Sequence, residues 1–130
     1  MGRPVAAQSS LTGRCTKGFV AFDLENNRLC FVKDYWRPLA QLVHPEWEVY
    51  IRLKEHNVRC VATAIAGGDV GAPNNPQVTV TDQHFQGDPN SFSVGRVHCR
   101  LVTKEVGRTL DTYRDSGHLM SVTYHALIGM

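Results

Sequence analysis

In the stretch RLCFVKDYWR, Arg28–Arg37, an apolar run ends in a lysine and continues at once into Asp34, Tyr35 and Trp36. In an extended strand Phe31 and Lys33 share one face, while Cys30, Val32 and Asp34 share the other. A lysine on a sheet face can deliver a point charge to a phosphate, provided that a carboxylate holds it in place. Upstream, GRCTKGFV (Gly13–Val20) fits G-x-G-x-x-G-x-V at every fixed position but the middle one, where Cys15 replaces glycine. Glycines in such a loop let backbone N–H groups approach an anion closely. Downstream, Glu46, Val49, Tyr50 and Leu53 recur at i, i+3, i+4 and i+7, one face of a helix. Glu46 lies on the face that packs on a sheet, and Glu48 lies toward Arg52 and Glu55. Glu46 is therefore the expected partner of Lys33.

Taken singly these residues are ordinary. Lys33 alone is a strand-end lysine reaching for water, Glu46 a first-turn carboxylate favoured by the helix dipole, and Gly13 and Gly18 turn glycines. Their order along the chain gives them joint meaning. The elements that must position them read as follows. CTKGFVAFDLENNRLCFVKD is two β-runs joined at Glu25-Asn26-Asn27, a hairpin. HPEWEVYIRLKEHNV is a helix with Pro45 in its first turn and with Trp47 and Ile51 widening the buried stripe. VRCVATAI is expected to be a strand, AGGDVGAPNNP a loop, QVTVT a short strand and DQHFQGDPNSFS a second loop. In VGRVHCRLVTKEVG, Val97, Cys99 and Leu101 alternate with His98, Arg100 and Val102, a strand with two differently used faces. GHLMSVTYHALIGM places Leu119, Val122, Ala126 and Leu127 at helical spacing, and the chain is expected to end in or at the end of that helix. The order predicts the α+β class.

A chain of 130 residues, 42% hydrophobic and 20% charged, has room for one domain with a core. A formal charge of +2 with scattered basic residues does not suggest a nucleic-acid partner. The four cysteines form no C-x-x-C pair and read as free thiols of a reducing compartment. The six histidines show no metal-ligand spacing. Cys99 and His98, as strand neighbours, point to opposite faces and are poorly placed to share a proton. Trp36 and Trp47 read as packing residues. The N-terminus has no apolar signal region, Ala6 stands where a myristoylation signal needs Ser or Thr, and no apolar run approaches the ~20 residues of a membrane span. The expectation is an intracellular chain, cytoplasmic or nuclear, with no membrane partner.

Glycine loop, strand lysine and helix glutamate in this order resemble the small lobe of a protein kinase. With TGRCTKGFVAFD, FVKDYWR, AGGDVG and HCRLVTKEVGRTL, the chain is similar to the fungal-type protein kinase family from about Leu11 to its last residue. The resemblance implies a twisted antiparallel sheet with one main helix, then a hinge and the start of a helical lobe. It divides the chain into a loose leader (1–10), an ATP-side lobe with hinge (11–107) and a truncated beginning of the second lobe (108–130). It implies that Gly13, Gly18 and Val20 cover the ATP phosphates and that Lys33, held by Glu46, pairs with the α- and β-phosphates. The backbone of Thr103, Lys104, Glu105 and Val106 would meet the adenine edge. Phe31 stands where the family places a small residue over the adenine.

The family activity is ATP-dependent phosphorylation of protein Ser or Thr. It needs an H-R-D loop with an Asn for metal and a D-F-G Asp for Mg²⁺. Tyr113-Arg114-Asp115 lacks the histidine, and Met120 stands where that Asn is needed. Asp69-Val70-Gly71 precedes the hinge rather than following a catalytic loop. The expectation is an incomplete kinase domain, with Mg²⁺ bound only when the missing lobe is supplied and no phosphotransfer by this chain alone. The alternative is a kinase relic (a pseudokinase) serving as a non-catalytic interaction module, binding a protein partner through the exposed lobe interface.

Overall fold

The computed structural model describes residues 5–7, 15–39, 43–80 and 95–128. The class is α+β: among the described residues, an antiparallel sheet with two α-helices. The strands are β1 (Ala6–Ala7), β2 (Lys17–Asp23), β3 (Arg28–Pro38), β4 (Ala64–Asp69), β5 (Gly71–Ala72), β6 (Asn75–Pro76) and β7 (Arg96–Thr103). The helices are α1 (Glu46–Glu55) and α2 (Ser116–Ile128). The main sheet has five strands in the order β1-β2-β3-β7-β4, and β5 pairs with β6 in a small separate hairpin. Among the described residues no helix is long and apolar enough to cross a membrane.

The β2–β3 hairpin forms because Leu24–Asn27 turns tightly. Asn27 takes the left-handed backbone (φ 48°), which asparagine tolerates better than most residues. The Asp23 carboxylate accepts from the Asn26 side chain at 2.8 Å, the Asn26 N–H at 3.2 Å and Arg28 Nε at 3.1 Å. The Asn26 side-chain bond leads in holding the Asp23 carboxyl below its usual range.

Register assigns every side chain of the sheet to a face. Tyr35 pairs with Cys99 and Lys33 with Leu101, so these four share the face on which α1 lies. Tyr35, Val97, Cys99 and Leu101 are the buried cluster, and Trp47, Tyr50 and Ala64 pack against it. Strand β7 alternates strictly between buried and half-buried residues, as its sequence pattern predicts. On the opposite face Asp34 accepts from Arg100 Nε at 3.2 Å and contacts His98 Nε2 at 2.7 Å, with Trp36 stacked on the His98 ring at 4.8 Å. His98 and Cys99 do point to opposite faces.

Helix α1 ends where Asn57 adopts the left-handed conformation (φ 53°) and the Val58 N–H reaches back to the Leu53 carbonyl at 2.9 Å. Asp115 starts α2, its carboxylate accepting from the His118 N–H at 2.8 Å. That is the structural use of the Asp of Tyr113-Arg114-Asp115.

Several expectations are corrected. The strand expected at Val58–Ile65 begins only at Ala64 and runs on through the glycines to Asp69. The expected loop AGGDVGAPNNP is instead most of β4 followed by the β5–β6 hairpin. Glycine reads as a breaker when seen alone, yet here Gly67 lies so close to Trp47 that a side chain on it would collide with the helix. Of QVTVT, Thr81 lies outside the described residues, and residues 77–80 carry an isolated bridge, Val78 to Val97, along the edge of β7 beyond the end of β4. Pro45 sits just before α1 rather than within it. Ile51 is 44% exposed and Val49 also 44%, so the inward stripe is Glu46, Trp47, Tyr50 and Leu53. Ala6–Ala7, expected in a loose leader, pair with Gly18 and Lys17, and the Val5 N–H adds a bond to the Gly18 carbonyl at 2.7 Å. Gly13 and the expected loop DQHFQGDPNSFS lie outside the described residues.

Candidate functional site

Lys33 and Glu46 meet. The Lys33 ammonium lies 2.7 Å from Glu46 Oε2 and 2.8 Å from Oε1, joining the middle of β3 to the first residue of α1. Both side chains keep about a third of their surface exposed, 32% and 31%. An ammonium carries three donors and the carboxylate takes two, so one N–H is left for a further acceptor. The Lys33 amine also lies 5.3 Å from the centroid of the Tyr35 ring. The Tyr35 hydroxyl in turn accepts the Glu46 backbone N–H at 3.3 Å.

This pair lies in the wall of a cleft of about 560 Å³. Strand β2 contributes Gly18 and Val20, β3 Phe31 and Lys33, and α1 Glu46 and Tyr50. The floor and far end come from Leu101, Thr103, Glu105, Val106, Gly107 and Arg108. The volume falls in the ~300–1,000 Å³ range of small-molecule sites. Gly18 is the register partner of Lys33 and lines the same cleft. Cys15 has φ 45°, a left-handed conformation, at the very place where the loop pattern wants glycine.

At the far end the chain leaves β7 and is tied down by Thr63. The Lys104 N–H donates to the Thr63 carbonyl at 2.9 Å. The Thr63 N–H and hydroxyl donate to the Glu105 carboxylate at 2.6 and 3.0 Å. Burial opposes ionisation of Glu105, but the Thr63 bonds win and hold the carboxyl below its usual range. The Thr103 hydroxyl donates to the Glu105 carbonyl at 3.3 Å.

Lys33, Glu46, Gly18, Val20, Thr103, Glu105 and Val106 thus line one cleft. Lys104 does not: its amide faces Thr63 and its side chain is exposed. Sequence reasoning missed Tyr35, Tyr50 and Arg108. Tyr35 could have been found from its i+2 spacing to Lys33, which puts both on one strand face. Arg108 carries no such signal. Asp69 of Asp69-Val70-Gly71 is engaged elsewhere, accepting from Arg37 Nη2 at 2.9 Å and from the Cys99 thiol at 3.1 Å.

The core beneath the cleft makes the fold sensitive to alkali. Burial pushes the Cys99 thiol up to about 11, the adjacent Asp69 carboxylate adding to it. Burial likewise pushes Tyr35 up to about 12. Both groups are neutral in the fold, whereas the unfolded chain releases these protons near 9.0 and 10.0. Their contribution is full below about pH 9 and is lost as pH rises through about 11 to 12. Urea midpoints should hold steady to about pH 9 and then fall; a midpoint unchanged to about pH 11.5 would contradict this account.

Comparison of the chain with protein-family models, with curated proteins and with solved structures finds no match.

Proposed function

We propose that the cleft holds a nucleoside triphosphate, ATP by preference, and that the chain is the ATP-side lobe of a protein kinase of the fungal type. The observation that carries this reading is the Lys33–Glu46 ion pair in the cleft wall, 2.7 Å long and joining strand to helix. That is the arrangement in which a strand lysine meets the α- and β-phosphates. The donor set fits a phosphate chain: Lys33 gives two N–H groups to Glu46 and keeps a third for a further acceptor. Val106 and Gly107 line the far end, where a base would lie.

The fit to metal is poorer. Among the described residues, the carboxylates lining the cleft are Glu46, held by Lys33, and Glu105, held by Thr63. Mg²⁺ would enter with the triphosphate rather than on a protein carboxylate, and among the described residues none lining the cleft stands ready to position a substrate hydroxyl. The chain therefore binds nucleotide without transferring phosphate. Thermal unfolding with and without Mg·ATP tests this. A transition that rises with nucleotide concentration, with no radiolabel passed to protein, is expected. A transition unmoved at millimolar Mg·ATP would sink the nucleotide reading.

The second reading, a non-catalytic interaction module, draws on α2. Its Met120, Tyr124 and Leu127 are 74%, 63% and 59% exposed, an apolar surface of the kind that meets a partner. That module would be indifferent to nucleotide, so the same titration separates the two.

A further inference from the structure

The Lys33–Glu46 pair is not self-supporting. Pro45, which precedes α1, gives the helix no side-chain cap, and the first N–H groups of a helix have no partner within it. The N–H of Glu46 is supplied instead by the sheet, through the Tyr35 hydroxyl at 3.3 Å. The same Tyr35 ring lies under the Lys33 amine at 5.3 Å. Tyr35 itself is 5% exposed and belongs to the buried cluster with Val97, Cys99 and Leu101, so its position is fixed by packing. One rigid side chain thus touches both partners of the pair, the acid by its backbone and the base by its charge.

We propose that Tyr35 is a positioning residue that keeps Lys33 and Glu46 assembled before any ligand arrives, so that the phosphate-facing amine is preorganised. The proposal rests on the nucleotide reading of the cleft for its consequence, though not for the assembly itself. Without the hydroxyl, the first turn of α1 loses its anchor on β3, and Glu46 is free to swing away from Lys33. A triphosphate must then restore the pair at its own expense. A ligand lacking phosphates meets only the base end and does not feel the change.

The test uses the full chain with Tyr35→Phe, which keeps the ring in the core and removes only the hydroxyl. Two readouts are taken. The first is the side-chain ¹⁵N–¹H signal of the Lys33 ammonium without ligand, visible while the ion pair slows exchange. It should be present in the parent chain and lost in both Tyr35→Phe and Glu46→Gln. The second is the affinity for Mg·ATP beside that for adenosine. Tyr35→Phe should weaken Mg·ATP by about threefold to tenfold, the span of one neutral hydrogen bond, and leave adenosine unchanged. A merely structural role would weaken both ligands alike. Persistence of the ammonium signal in Tyr35→Phe, or equal loss for the two ligands, overturns the proposal. If the parent chain binds neither ligand, the nucleotide reading falls while the ammonium signal still decides whether Tyr35 assembles the pair.

Discussion

Replacing Lys33 by methionine removes nucleotide-dependent stabilisation and leaves the fold almost as stable as before. The two halves of this expectation have different physical origins. A hydrogen bond from a charged donor contributes about 1.5–3 kcal/mol, so losing the lysine–phosphate contact weakens Mg·ATP about 10- to 150-fold. At a nucleotide concentration a hundred times its Kd, binding adds about 2.7 kcal/mol to the parent chain; a hundredfold weaker variant gains only about 0.4 kcal/mol. The fold itself loses little. Lys33 and Glu46 are each about a third exposed, and ion pairs so well solvated contribute about 1 kcal/mol or less. Methionine also keeps the apolar stem that lies beside Phe31 and Tyr35 on the strand. Isothermal titration and urea unfolding of the same preparation read the two quantities separately. A Lys33→Met chain that binds Mg·ATP as tightly as the parent would show that the triphosphate, if it binds, does not meet this amine.

How much of this was legible beforehand depends on the range over which each residue acts. Strand β7 was legible because alternation is local: Val97, Cys99 and Leu101 are inward whatever lies across from them. The meeting of Lys33 with Glu46 was legible because two local periods, two in the strand and 3.6 in the helix, each assign a face. Only the assumption that the helix packs on the sheet was needed to join them. The strand period puts Tyr35 on the face of Lys33, but its part in the site depends on its hydroxyl, which matters only once the first turn of α1 lies above it. The inward stripe of α1 is narrower than its apolar spacing predicts. Val49 and Ile51 are apolar at plausible spacings, but a helix lying on a sheet through a narrow contact leaves its flanks in water. The hairpin turn was legible from Glu25-Asn26-Asn27, whereas β4 was not. Its AGG sequence has the composition of a loop, and what makes it a strand is the pairing with β7 and the closeness of α1.

That closeness makes Gly67 the most sensitive point between fold and site. A methyl group there would fall 2.6 Å from Trp47 Cβ and 3.3 Å from Leu101 Cδ1. Trp47 Cβ is bonded directly to the helix backbone, so the clash cannot be relieved by rotating a flexible tip; α1 itself must lift from β4. Overpacking of this kind costs about 1–3 kcal/mol. Glu46 is the residue before Trp47 and moves with it, away from a Lys33 that β2 and β7 hold on both sides. Gly67→Ala is therefore expected to lower the urea midpoint and, in the molecules still folded, to weaken Mg·ATP more than adenosine. Ile65→Ala provides the control on the same strand. Ile65 is 39% exposed, and shortening it should cost about 1 kcal/mol and leave the ratio of the two affinities alone. If Gly67→Ala matched the parent chain in stability and in that ratio, α1 would not be seated against β4 as closely as the Trp47 contact requires. The dependence of the ion pair on helix placement would then fail with it, because the Trp47–Gly67 contact is the approach of α1 to β4 on which it rests.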